Sequence, residues 1–139
     1  MIVDASVAVR WYAVDDWTPS AQALMNVPGT LLAPDFFVAE VANALWKLAR
    51  AGHVQDAQAE AGLEQLPRVV SLEPAAPLAL RAFSIARMLN HSVYDCLYLA
   101  LAERHGERLV TLDKRLHTRT RNTPWASLTV LLGDENIPV

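Results

Sequence analysis

Short apolar runs that stop on turn residues alternate along this chain with longer stretches in which apolar side chains return every three or four positions. That pattern predicts strands and helices in alternation. Met1 to Asp4 is the first run, an apolar strand stopped by a carboxylate, and Val7, Ala8, Val9, Trp11 and Tyr12 predict a helix behind it. Thr18-Pro19, an N-cap candidate followed by proline at the first helical position, predicts a helix to about Val27 that Pro28-Gly29 ends. Leu31 to Ala33 predicts a second strand. Pro34-Asp35 then opens a helix through about Arg50, with Gly52 where a C-terminal glycine is expected. Ala57, Ala61, Leu63 and Leu66 predict the apolar side of a helix over 54–66 that Pro67 closes. A third, weaker strand from Arg68 to Leu72 and a helix from Ala75 to Leu89 follow. Ser92 then opens another helix, with Asp95 three residues on, that reaches His105-Gly106. A strand from Arg108 to Leu112 stopped by Asp113, a short basic helix over 114–119 and a fifth strand from Leu128 to Leu132 complete the order.

Strands separated by helical stretches this long need crossover connections, so the fold expected is α/β, a three-layer sandwich with a mainly parallel five-stranded sheet flanked by helices. The 139 residues suit one domain, taken as 1–139, and an apolar share of 53% with five Gly and eight Pro excludes disordered, collagen-like and low-complexity chains. The longest strongly apolar helical stretch, Val93 to Ala102, contains Asp95 and is about half the length that spans a bilayer, so no membrane segment is expected. Met1-Ile2-Val3-Asp4 shows neither a basic n-region nor a small-residue cleavage site, so a cytoplasmic location is expected. Cys96, the one cysteine, forms no intrachain disulfide and reads as buried filler. The net charge of −3 is uneven: residues 1–75 hold four basic against nine acidic residues, and residues 76–139 hold eight against six.

In open parallel sheets ligands gather at the carboxyl ends of strands, which makes strand-ending acids the first candidates for chemistry. Asp4 ends the first strand and Asp113 the fourth, while Glu40 lies in the apolar helix Phe36 to Trp46 and Asp95 in Val93 to Tyr98. A carboxylate among apolar neighbours is costly unless it is paired, hydrogen-bonded or bound to a cation. Four of them point to a shared partner. A divalent cation offsets their repulsion, all-oxygen ligation selects Mg²⁺ or Mn²⁺ over zinc, and metal-assisted chemistry on phosphates is the implied class. Taken singly, each acid also has a structural reading. Asp4 serves as a turn or N-cap, Asp95 as a capping-box acid, Asp113 as a strand-ending turn, and Glu40 as part of a solvated face with Asn43 and Lys47.

Around these acids, Thr111 precedes Asp113 by two residues on the same strand face, and Ser6 reads either as a carboxylate-orienting hydroxyl or as the cap of the first helix. Asn43 follows Glu40 by one turn. Lys114, Arg115, Arg119 and Arg121, four cations within eight residues, are either a solvated helix face or contacts for phosphates. The histidines His53, His91, His105 and His117 show no ligand spacing and read as surface or helix-end positions, and Trp46 and Tyr94 read as packing residues.

The order of the four acids, each in its context, resembles the PIN domain family and within it the VapC-type toxin ribonucleases. The resemblance covers nearly the whole chain, through Val3-Asp4-Ala5-Ser6-Val7, Ala39-Glu40-Val41-Ala42-Asn43-Ala44-Leu45, Tyr94-Asp95-Cys96-Leu97-Tyr98-Leu99-Ala100-Leu101-Ala102 and Leu109-Val110-Thr111-Leu112-Asp113. It implies a Mg²⁺- or Mn²⁺-dependent endoribonuclease with RNA as substrate, a toxin silenced by a cognate antitoxin and tending to form a homodimer. Asp4, Glu40, Asp95 and Asp113 would then hold the metal directly or through water, and hydrolysis would leave a 5′-phosphate and a 3′-hydroxyl. A Mg²⁺-dependent phosphatase of the haloacid dehalogenase type needs a second Asp two residues after the first, where this chain has Ser6. A response-regulator receiver needs an acidic pair beside the first strand and a Lys after the last, and neither is present. The remaining alternative is a catalytically degenerate PIN scaffold that binds RNA or protein; retention of all four acids argues against it.

Overall fold

Five strands, β1 (Ile2–Val3), β2 (Leu31–Pro34), β3 (Val70–Glu73), β4 (Leu109–Thr111) and β5 (Thr129–Leu131), form one sheet in the order β3-β2-β1-β4-β5. Every neighbouring pair is parallel because each connection carries helices. α1 (Ala5–Ala8) and α2 (Thr18–Ala23) join β1 to β2, and α3 (Phe37–Arg50) and α4 (Asp56–Val69) join β2 to β3. α5 (Ala79–Leu89) and α6 (Val93–His105) lead to β4, and α7 (Lys114–Thr120) leads to β5. The computed structural model describes residues 1–134 and Ile137, so positions 135, 136, 138 and 139 of the expected 1–139 domain lie outside the described residues. Among the described residues no helix is long and apolar enough to cross a membrane.

Two features of this topology place the site. From β1 the chain adds strands in one direction through β2 and β3, then returns to add β4 and β5 on the other side, so β1 and β4 flank the switch point where an open α/β sheet forms its crevice. Val3 pairs with Val110, which brings the residues just beyond, Asp4 and Thr111, out side by side at the carboxyl ends of the two strands.

The helices follow their sequence patterns with instructive departures. α6 is buried all round from Cys96 to Ala102, as befits a helix lying against β1, β2 and β4 rather than on the surface. α3 buries one stripe, Phe37, Val41 and Leu45. The first helix is capped by Asp4, not Ser6, and after one turn continues as a 3-10 segment over Val9–Trp11. α2 likewise gives way to a 3-10 turn at Leu24–Asn26. Thr18 is the first residue of α2 rather than its cap: its hydroxyl accepts from the Asp15 N–H at 2.9 Å and donates to the Arg10 carbonyl at 2.9 Å, tying down the preceding loop.

Pro67 does not end α4. It stands in the last turn, where it forfeits only its own hydrogen bond, and the Val70 N–H still reaches the Leu66 carbonyl. The buried side of α4 is Ala59, Gly62 and Leu66, whereas Ala57 and Ala61 are exposed, because the helix is rotated to seat the Tyr12 ring on Gly62. Trp46 and Tyr94 are not core residues: they are 54% and 68% exposed, Trp46 lying under the Arg50 guanidinium and Tyr94 meeting Phe36 edge-on.

Candidate active site

Asp4 leaves β1 into a buried position and caps α1, its Oδ1 accepting from the Val7 N–H at 3.3 Å and from the Ser6 hydroxyl at 2.5 Å. Its Oδ2 accepts from the Thr111 hydroxyl. Both hydroxyls are themselves held by backbone just past β4: Ser6 Oγ accepts from the Leu112 N–H at 3.0 Å and Thr111 Oγ1 from the Asp113 N–H at 2.9 Å. Asp4 is thus stitched to the segment that carries Asp113. Burial, helped by the nearby Asp95 charge, pushes its carboxyl up to about 6 against the pull of these three hydrogen bonds.

Asp113 ends the β4 segment and caps α7, its Oδ1 accepting from the Leu116 N–H at 3.0 Å. Asp95 sits in the first turn of α6, where Ser92 Oγ accepts its N–H at 3.3 Å, while its own Oδ2 lies 2.6 Å from His91 Nε2. Ligand atoms of His91, Asp95 and Asp113 all fall within 4.8 Å of one another. They line a cleft of about 420 Å³ together with Asn90, Ser92 and Arg115.

Glu40 lies half-buried in the first turn of α3 and accepts at 2.6 Å from the hydroxyl of Tyr98, a buried residue one turn after Asp95 on α6. Burial raises the Glu40 carboxyl, the Tyr98 hydrogen bond opposes that, and the Asp95 charge adds to it. Burial first, then Glu40, raises the Tyr98 hydroxyl. Asp95 is therefore felt by both Asp4 and Glu40, while Asp113 stands with Asp95 and His91 in the tight group, outside which Asp4 and Glu40 lie. Converging carboxylates at this spacing repel one another, and the donor set fits a hard divalent cation that neutralises them.

The other residues singled out in the sequence separate. Ser6 and Thr111 both contact Asp4, whereas Asn43 is exposed on α3. Arg115 lines the cleft and Lys114 is exposed beside it. Arg119 donates to the carbonyls of Leu89 and Asn90, at 3.1 and 2.7 Å, closing the end of α5. Arg121 donates to the Ala126 carbonyl at 2.6 Å and the Thr129 hydroxyl at 2.8 Å, bracing β5. His91 and Tyr98 were not read from the sequence as site residues. Their signals were spacings from Asp95, four residues before and three after.

Residues 1–122 match the family model described as PIN domain. Ribonuclease VapC3 of Pyrobaculum aerophilum is 34% identical over 119 residues, covering 84% of this chain and 91% of that one. Ribonuclease VapC3 of Mycobacterium tuberculosis is 36% identical over 117 residues, covering 84% of each. Among solved structures, PAE2754 from Pyrobaculum aerophilum superposes with a TM-score of 0.67 at 24% identity, over 94% of this chain and 87% of that one. Mycobacterium tuberculosis VapC20, a sarcin-ricin loop cleaving toxin, does so with 0.63 at 21% identity, over 81% and 89%. At these identities the two structures bear on the fold alone.

Proposed function

The chain belongs to the PIN domain family, among its VapC-type toxin ribonucleases, and on that footing we propose that it is a Mg²⁺- or Mn²⁺-dependent endoribonuclease, the toxin of a toxin–antitoxin pair. The observation that carries this reading is the convergence of Asp95, Asp113 and His91 on one cleft at the β1/β4 switch point, with Asp4 and Glu40 in the same electrostatic field. Asp4, Glu40, Asp95 and Asp113 would hold the cation, directly or through water. When bound, the cation supplies an activated water and offsets charge on the phosphate and the leaving 3′ oxygen.

The chain's own residues supply the preorganisation. Ser6 and Thr111 hold the Asp4 carboxylate against rotation, and Tyr98 does the same for Glu40 across the α3–α6 interface. An acidic cleft repels RNA unless cations bring the backbone in, and Arg115 at its edge with Lys114 beside it serves that purpose. The test is to incubate the purified protein with RNA in Mg²⁺, Mn²⁺ or EDTA and identify the ends produced. Cleavage is expected only with the cations, leaving a 5′-phosphate and a 3′-hydroxyl. A 2′,3′-cyclic phosphate, or the same rate in EDTA, would refute the proposal.

The antitoxin's seat, in this reading, is the groove between α3 and α4, lined by Ala42, Trp46, Ala49 and Leu63 and edged by Asp56 and Glu60. An amphipathic helix with a basic border fits such a groove. Antitoxin binding is expected to slow amide hydrogen exchange across residues 36–66, and unchanged exchange there would move the seat elsewhere. A homodimer, which the family resemblance implies, is checked by sedimentation.

A further inference from the structure

We infer that His91 is a positioning residue for Asp95, its imidazole fixing the orientation in which that carboxylate meets the cleft. The inference rests on the function proposed above, since it assigns the ring a part in holding the cation. His91 Nε2 lies 2.6 Å from Asp95 Oδ2. A carboxylate oxygen only accepts, so Nε2 carries the hydrogen and donates it. The ring is otherwise enclosed: the side chain is 5% exposed, and its second nitrogen, Nδ1, is buried without a partner. An unpaired buried polar atom is costly, and an apolar side chain filling the same space avoids that cost. Packing therefore does not account for a histidine here; its one hydrogen bond, to Asp95, does.

The backbone that carries the ring is held from two sides. Asn90 takes the left-handed conformation, φ 50°, as α5 ends, and its N–H and that of His91 both turn back to the Ala86 carbonyl. From the other side the Arg119 guanidinium grips the Leu89 and Asn90 carbonyls. Two residues of this clamped turn then act on Asp95 at once, Ser92 on its backbone N–H and His91 on its carboxylate. The turn between α5 and α6 thus sets both the backbone and the side chain of one acid. With Oδ2 engaged by the imidazole, rotation of the carboxylate about its bond to the helix is restricted before any cation arrives, the usual service of a partner standing behind a metal ligand.

A different role, His91 as a direct nitrogen ligand, predicts different spectroscopy, which makes the inference testable with the full chain and Mn²⁺ as probe. Mn²⁺ affinity, nitrogen coupling in the Mn²⁺ spin-echo spectrum, RNA cleavage and thermal unfolding are measured for wild type, His91→Ala and His91→Gln. Glutamine is chosen because its amide can offer an N–H to Asp95 without an imidazole. Expected for His91→Ala is Mn²⁺ binding weakened roughly 10- to 100-fold. Recovery of most of that loss is expected in His91→Gln, with no imidazole nitrogen coupling in wild type. Imidazole coupling in wild type that disappears in the variants overturns the positioning role. So does a folded His91→Ala that binds Mn²⁺ as wild type does, or a folded His91→Gln with no recovery. A wild-type chain that shows the expected Mn²⁺ pattern yet cleaves no RNA supports the inference and refutes the function on which it rests.

Discussion

Burial takes the Asp4 carboxyl up to about 6 although three hydrogen bonds oppose it, and the sign of that shift has a thermodynamic consequence. A folded-state value above the unfolded 3.8 means that the charged form is the less welcome one in the fold. The penalty is absent below about 4, grows as pH rises towards 6 and is complete above it, amounting to roughly 3 kcal/mol at 1.36 kcal/mol per unit. In chelator, the protein should therefore lose stability between pH 4 and 6, and Asp4→Asn should flatten that stretch of the curve. Urea midpoints across this range check it; an unchanged slope in the variant would show that Asp4 is not the group responsible. Glu40, also raised by burial, leaves a residual slope of the same sign.

The four acids stood out in the sequence as candidates because a carboxylate inside an apolar run is conspicuous. Ser6 and Thr111 were legible as hydroxyls near acids, Ser6 two residues after Asp4 and Thr111 two before Asp113 on one strand face, whereas the reach of Thr111 to Asp4 follows from the β1–β4 register. His91 was not, since it precedes the cap of α6 and its approach to Asp95 depends on the turn made by Asn90. Tyr98 was hidden among the apolar residues of a wholly buried helix, where a tyrosine reads as core until its hydroxyl is seen to reach Glu40.

At the level of elements, α4 and the turn before α6 carry separable predictions. A Cβ added at Gly62 would stand 2.5 Å from the base of the Tyr12 ring, the end tethered closest to its backbone rather than a flexible tip. Gly62→Ala should thus destabilise the fold by about 1–3 kcal/mol, the usual cost of overpacking, despite its better helix propensity. Chemical denaturation decides this, and a stabilised variant would mean that the ring shifts freely. The basic helix α7 divides by task. Arg115→Ala should weaken RNA binding and make its salt dependence shallower by roughly 0.7 in log–log slope, the share of one single-strand phosphate contact. Arg119→Ala should instead lower stability by about 1–2 kcal/mol, because its guanidinium closes α5. Equal effects of the two on the salt slope would contradict this division.

The alternation of apolar runs and helical periods reported all five strands and their intervening helices. It misjudged the rotation of α4, set by Tyr12 on Gly62, and left the cap of the first helix open between Asp4 and Ser6, which the structure gives to Asp4. In the same way Arg119 and Arg121 look like Arg115 in sequence, yet they are engaged with carbonyls of neighbouring elements.

For the whole molecule, the order β3-β2-β1-β4-β5 sets the carboxyl ends of β1 and β4 side by side, so that Asp4 meets Thr111 next to the segment that carries Asp113. Asp4 comes from one side of the switch point, Thr111 and Asp113 from the other, and α3 and α6 supply Glu40, Asp95 and Tyr98. The fold's stability and the site's charge are consequently in opposition, and under the proposed function a divalent cation would relieve the conflict, with an expected stabilisation of the native chain of about 2.7 kcal/mol at a hundredfold excess over its dissociation constant. The central claim, that this carboxylate cluster acts through a divalent cation to cut RNA, is tested most directly by the cleavage rate of one RNA with wild type and Asp95→Asn, purified alike and each assayed in Mg²⁺ and in EDTA. The expected result is cleavage by wild type in Mg²⁺ alone. The folded variant should lose more than the roughly 10- to 100-fold that removal of an outer partner costs. A variant that keeps the wild-type rate in Mg²⁺ would contradict the account.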